Sequence, residues 1–276
     1  MAKTVLKTHD DLVDFVQGCL LLGTGCGGNP AEGLKSLEEQ FNAGKELSWV
    51  DEEDLPQGTY VACTFLMGST APLTEEKIKE MQELGLKDWL YPRNLPLAAK
   101  FLQEYTKKEI SAIIPLEIGG SNMPVPVATA ASLGIKALNG DFAGRAVPEI
   151  TQGVAVCNGV KLTPYACVDK WGNRCIVDAT INPEMAERMG KLISDASYGS
   201  TGICGILIPV EELPGKYIAN TMSEALNVGR IIREAQAAGR SIADAICEKM
   251  GAYKLFAGRV VNKPWEDRDG YYWGSH

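Results

Sequence analysis

Between residues 9 and 141 the apolar positions switch repeatedly between two periods. "HDDLVDFVQGCLLLG" places Leu12, Phe15, Val16, Cys19 and Leu20 at helical spacing behind Thr8, with acids in its first turn and a glycine at its end. After the glycine-rich "TGCGGNP", Asn29 and Pro30 are placed to cap and open a second helix, whose Leu34, Leu37 and Phe41 form one stripe. "TYVACTFLMGS" and "EISAIIPLEIGG" are apolar at consecutive positions, the pattern of strands buried on both faces. Helical "TEEKIKEMQELG", "LAAKFLQEYTKK" and "VPVATAASLG" alternate with them, and "IKALNGD" supplies a further short strand. This alternation predicts an α/β fold: a Rossmann-like parallel sheet with helices on both faces over residues 1–150.

The pattern changes after Glu149. "VAVCNGV" and "TPYACVDKWGNRCIVDA" alternate around Asn-Gly and Trp-Gly-Asn turns, which predicts antiparallel hairpins. Helical "NPEMAERMGKLISDAS", the strand "GICGILIPV", the long helix "YIANTMSEALNVGRIIREAQAAG" and the short helix "SIADAICEKMG" extend an expected second, α+β subdomain over 151–257. "YKLFAGRVVN" reads as a strand, and 258–276 as the opening of a β-rich unit that the chain does not complete.

Composition narrows the function classes. With 276 residues, 45% hydrophobic, the chain has material for a large core. Its net charge of -8 and lack of a basic stripe argue against nucleic acid as a partner. No run approaches the ~20 apolar residues of a membrane span, and "MAKTVLKTHDD" lacks the signal-peptide pattern, so the expected location is the cytoplasm. Eight cysteines without a Cys-x-x-Cys pair, and only His9 and His276, cannot build the usual zinc arrays. No cofactor is expected; the alternative is a divalent metal held by Asp141, Glu149 and Cys26.

Three motifs carry candidate chemistry. In the Gly23–Gly28 loop, converging amides of about Gly25 to Gly28 form an anion or oxyanion pocket, with Thr24, Gly25 and Gly27 as docking positions. A nucleotide cradle is disfavoured, because no lysine precedes a Ser or Thr and a helix stands in front of the loop. Cys26 is either an inert small residue in a turn or a thiol favoured as thiolate among those donors. In "PLEIGGSNMPVP", Glu117 and Asn122 flank a Gly-Gly turn at the end of a buried strand, where open α/β sheets bind ligands; the alternative is a helix cap and a solvated acid. In "NGDFAGRAVPE", Asp141, Arg145 and Glu149 either converge on a ligand, Arg145 taking its carboxylate, or clamp the subdomain junction. Ser69, after the other buried strand, adds a hydroxyl at the same sheet edge.

These stretches, with "TMSEALNVGRIIREA" and "LFAGRVV", occur in an order that resembles the S-methyl-thiohydantoin desulfurase family, related to hydantoinases and oxoprolinases. The most specific likeness is Asp-x-x-Gly-Arg-Ala-x-Pro-Glu, carried by Asp141, Gly144, Arg145, Ala146, Pro148 and Glu149. The chain departs from the family at Asn139, often acidic there, and at Cys26, often glycine; the family usually continues into a fuller β-rich domain. The resemblance implies hydrolysis of a small thiohydantoin- or hydantoin-like ring, and the residues permit that chemistry independently, with Cys26, or water held by Asp141 or Glu149, attacking the ring carbon. Thr24, Gly25, Gly27, Ser69, Glu117, Asn122 and Arg145 would bind the substrate. A small molecule is the expected partner, and a homo-oligomer the expected state. The alternative is a binding or regulatory protein that keeps the pocket without turnover.

Overall fold

Helices and strands alternate from residue 9 onward as the periodicity predicts. The computed structural model describes residues 3–68, 72–87, 93–268 and 271–274. The strands are β1 (Thr4–Val5), β2 (Ser48–Val50), β3 (Tyr60–Gly68), β4 (Ile110–Pro115), β5 (Lys136–Leu138), β6 (Gly140–Asp141), β7 (Tyr165–Asp169), β8 (Arg174–Val177), β9 (Ser200–Pro209), β10 (Ile218–Ala219), β11 (Trp265–Arg268) and β12 (Tyr271–Gly274). The helices are α1 (His9–Leu22), α2 (Pro30–Asn42), α3 (Glu75–Glu83), α4 (Asn94–Thr106), α5 (Pro124–Leu133), α6 (Val154–Cys157), α7 (Pro183–Ala196), α8 (Thr221–Ala237) and α9 (Ile242–Met250).

One sheet of order β1-β2-β5-β4-β3-β9-β7-β8 organises the chain. Its β2-β5-β4-β3 part is parallel, as the sequence pattern requires. The hairpin strands after Glu149 do turn antiparallel, and they extend this same sheet: β9 pairs with β3, β7 with β9 and β8 with β7. Side chains of the central strands divide by parity. Ala62, Ile113, Ala137, Ala166 and Cys204 pack under α1, α2, α4 and α5, whereas Val61, Cys63, Ile114, Leu138 and Cys167 pack with Ala155 of α6 and Ala186 of α7. Helices therefore cover both faces, and strands buried on both sides need consecutive apolar residues.

Local chemistry sets the ends of the elements. Thr8 and Asp11 form a reciprocal capping box on α1, and the Asn29 side chain accepts from Ala31 N at 3.0 Å ahead of Pro30 in α2. α1 and α8 cross at two glycines: a Cβ on Gly18 would collide with the Ala225 carbonyl, and one on Gly229 with the Asp14 carbonyl. Beside that crossing the buried Asp14 accepts from Arg233 Nε and Nη2, both at 2.9 Å.

Three expectations fail for physical reasons. "VAVCNGV" forms the helical turn α6, ended by Gly159 in the left-handed region, because its amides find carbonyls within the turn and no neighbouring strand. The long helix starts at Thr221, since Ile218 and Ala219 pair with Asp141 and Gly140 and Asn220 is left-handed. "YKLFAGRVVN" forms no strand: it meets no sheet edge, and Leu255 and Val261 stand more than 90% exposed. Among the described residues no helix is long and apolar enough to cross a membrane.

The α1–α8 crossing is testable. Gly18→Ala must force the helices apart and is expected to cost about 3 kcal/mol in urea unfolding. Gly239→Ala, whose Cβ meets nothing within 4 Å, should lose only about 1 kcal/mol through its positive φ. Equal midpoints for the two variants would show that Gly18 does not limit the crossing.

Candidate functional site

The glycine loop is a left-handed run with one exception. Thr24, Gly25, Gly27 and Gly28 have φ of 56°, 79°, 72° and 88°, and only Cys26 among them keeps an ordinary backbone. The amides of Thr24, Gly25 and Cys26 are used inside the turn, donating to Leu21, Leu20 and Gly23 carbonyls at 2.9, 2.8 and 2.9 Å. The expected donor set of Gly25 to Gly28 therefore shifts. Within the described loop 24–29, the N–H groups for which no protein acceptor is found are those of Gly27, Gly28 and Asn29, at the N-terminus of α2.

The loop docks on the turn after β4. Gly120 N donates to Cys26 O at 3.3 Å, and Ser121 N and Asn122 N donate to Gly27 O at 3.0 and 2.9 Å. A Cβ on Gly27 would overlap the Gly119 backbone, and one on Gly119 would overlap Gly27. The two glycine motifs singled out separately in the sequence thus touch each other.

A cleft of about 1400 Å³ opens at this edge, where β3, β4 and β7 end. Of the expected site residues, Gly25, Cys26, Gly27, Asn122 and Glu149 line it. Thr24 is exposed in the turn outside its wall, and Arg145 is exposed with Nε donating to Ala146 O at 3.1 Å, so the cleft's cations come from elsewhere. Ser69 lies outside the described residues.

Glu117 and Asp141 sit behind the wall. The buried Glu117 accepts from Asn122 Nδ2 at 2.5 Å through Oε1 and from Val147 N through Oε2, so it reaches the cleft only through Asn122. Burial pushes its carboxyl up to about 7, the two hydrogen bonds pull the other way, and the Asp141 charge adds to the rise. Asp141, fully buried, accepts from Ala143 N and Gly144 N at 2.7 and 2.6 Å, an Asx turn that holds the segment below Val147. Burial raises its pKa as well, against the Thr221 hydroxyl and those two amides.

α7 brings residues that the motif reading missed. Lys191 lines the cleft with Nζ 3.9 Å from Glu187 Oε1, and Glu187 Oε2 accepts from Ile150 N at 2.9 Å. The Lys191 ammonium lies in the field of Glu187, Glu149 and Glu117, while burial lowers its pKa. From the next hairpin, Lys170 joins the wall and donates to Tyr198 O at 3.2 Å. A signal was available: Glu187 and Lys191 are four apart on the face that carries Ala186, Gly190 and Ser194, the small buried positions of α7. Lys170 follows a strand end and carries no comparable mark.

Asn139, one of the departures noted above, is explained by its neighbours. Its Nδ2 donates to Asp51 Oδ1 at 2.9 Å, where an acid would meet a like charge, and its Oδ1 accepts from Ser223 N at 3.2 Å. Among the described residues no group of three or more His, Cys, Asp or Glu side chains is arranged to hold a metal.

Comparison with known proteins agrees with the order of motifs. The S-Me-THD-like N-terminal domain matches residues 10–179 and the S-Me-THD-like C-terminal domain matches residues 181–276. Among solved structures, a structural-genomics protein from Chromobacterium violaceum superposes with a TM-score of 0.71 at 20% identity, covering 91% of this chain and 67% of that one. That likeness concerns the fold. No curated protein matches the chain.

The raised Glu117 pKa makes a signed prediction. Between the ordinary 4.5 and about 7, the native state keeps a proton that the unfolded chain has released, so stability falls as pH rises through this window. Glu117→Gln should remove Glu117's share of that fall, up to about 3 kcal/mol between about pH 4 and pH 8. Urea unfolding of both proteins at the two pH values measures the difference; an equal fall in both excludes Glu117 as a source.

Proposed function

From the premise that this chain belongs to the S-Me-THD-like family, we propose that it is a hydrolase acting on a small thiohydantoin- or hydantoin-like ring bound in the cleft. One feature of the site carries the reading: Cys26 lines the cleft beside Gly27, Gly28 and Asn29, whose amides take no protein acceptor. A nucleophile next to convergent N–H donors is what addition to a ring carbon requires.

The residues divide the work as follows. The Cys26 thiolate attacks the ring carbon that bears the S-alkyl group, and negative charge develops on the adjoining ring nitrogen. Each backbone donor aimed at that charge lowers the barrier by roughly 3 kcal/mol. Collapse breaks the carbon–sulfur bond and expels the alkyl thiolate, which takes a proton from solvent as the free thiol, and leaves the ring joined to Cys26. Glu149, also in the wall, takes a proton from water, whose oxygen adds to the same carbon and releases Cys26 and a hydantoin-type product. Asn122, oriented by Glu117, hydrogen-bonds the ring amide. Lys170 and Lys191 supply positive charge for a substrate carboxylate, the part that Arg145 was expected to play. Asp141 acts as a positioning residue through the 143–144 turn.

Thiol release from S-methyl-thiohydantoins by the purified chain is the direct test. Turnover is expected, absent in Cys26→Ala and lowered about a hundredfold or more in Glu149→Gln. Full turnover by Cys26→Ala would overturn the thiol nucleophile and leave water as the attacking group. Calorimetric binding of a hydantoin without turnover at high protein concentration would overturn the enzyme reading in favour of a binding protein.

A further inference from the structure

Two cysteines outside the cleft stand directly opposite each other. In the β7–β8 hairpin the register pairs Cys167 with Cys175, flanked by Ala166 with Ile176 and Val168 with Arg174. Residues so paired in an antiparallel ladder project from the same face with Cα atoms about 4.5–5.5 Å apart, inside the span that a disulfide bridges. Both side chains lie on the sheet face that packs under α7. Cys167 is buried, whereas Cys175 on the outer strand of the sheet is only partly buried, so Cys175 is the more accessible of the two. Cys63 and Cys204 make the contrast: they sit one register step apart on β3 and β9 but face opposite layers and cannot meet.

We propose that Cys175 and Cys167 are a redox-active dithiol that reduces a low-molecular-weight disulfide and closes into a cross-strand disulfide. The Cys175 thiolate attacks one sulfur of the small disulfide, breaking its S–S bond and releasing one thiolate, which takes up a proton as the free thiol. The Cys167 thiol then gives up its proton and attacks Cys175 Sγ, and the second small thiol leaves. Two protein thiols are oxidised, one small disulfide is reduced to two thiols, and no other reactant is needed. The division of roles follows from exposure. The pKa directions agree with it: interaction with Cys167 holds Cys175 below its ordinary value, and the same interaction together with burial pushes Cys167 up. Closure ties together the two strands whose turn carries Lys170 to the cleft wall. The site does not depend on the hydrolase reading.

Trypsin separates the pair, because it cleaves after Lys170 and Arg174 and leaves Cys167 in peptide 162–170 and Cys175 in peptide 175–188. The folded chain is incubated with oxidised glutathione, its remaining thiols are blocked in acid, and the digest is read by mass spectrometry. The expected product is the two peptides joined, two hydrogens lighter than their sum and separated by reductant. Cys167→Ser should instead hold glutathione on Cys175, and Cys175→Ser should leave Cys167 a free thiol. A lasting glutathione adduct on Cys175 of the unmutated chain, or no change at either cysteine, would overturn the proposal, and neither result requires that a variant fold.

Discussion

The site depends on a backbone-to-backbone contact that only glycine permits. Gly27 lies against Gly119 with no room for a Cβ on either, and Gly33 in the first turn of α2 meets the Gly120 carbonyl in the same way. With side chains out of the way, three hydrogen bonds join the loop to the turn after β4, from Gly120, Ser121 and Asn122 to the carbonyls of Cys26 and Gly27. That docking places the N-terminus of α2 and its open amides at the carboxyl edge of the parallel strands. It also fixes the backbone of Asn122, and hence the amide that binds Glu117. A side chain at Gly27 would disturb the open amides and the Asn122–Glu117 pair together, because one contact positions both.

Behind the wall, burial works against charge. Glu117, Asp141 and Glu187 are all raised by desolvation, and they share few cations. Lys191 answers three carboxylates from three parts of the chain: Glu117 after β4, Glu149 before the Ile150–Gln152 turn and Glu187 on its own helix. Backbone amides meet most of the remaining demand, from Val147 to Glu117, from Ala143 and Gly144 to Asp141, and from Ile150 to Glu187. The segment 143–150 is therefore pinned by carboxylates reaching in from its surroundings. An isolated buried carboxylate would neutralise by taking a proton. Here the amides and Lys191 hold the ionised form in reach, so Glu117 titrates near neutrality rather than remaining protonated.

What the sequence discloses follows from the range of the interactions involved. The caps at Thr8 and Asn29, the parallel strands β3 and β4 and the helices between them rest on neighbours a few residues away, and they stand where periodicity places them. The helical turn at Val154–Cys157 and the exposed run around Leu255 depend on whether a sheet edge is within reach, which alternation alone does not reveal. The same distinction divides the candidate site. Cys26 and Asn122 reach the cleft because their motifs end at one sheet edge, whereas of the third motif Glu149 reaches it and Asp141 and Arg145 do not. Motif membership marks a segment that is constrained; which of its side chains face the cleft is decided by the packing of the 143–150 turn against Glu117 and Glu187. Lys191 enters from a helix with no motif, through a four-residue spacing that also suits an ordinary surface ion pair.

Cys26 illustrates how a departure from a glycine pattern can be accommodated. Its neighbours Thr24, Gly25, Gly27 and Gly28 all hold positive φ, and Thr24 alone bears a side chain there; Cys26 keeps an ordinary φ, so its Cβ costs no backbone strain. Its carbonyl is the acceptor for Gly120 N and its amide is used within the turn, so the backbone of residue 26 serves the docking contact whatever its side chain. The thiol is thus free to vary independently of the scaffold that holds it. A glycine at 26 would leave the open amides of Gly27, Gly28 and Asn29 in place and remove only the sulfur, so any chemistry that depends on Cys26 is separable from those amides.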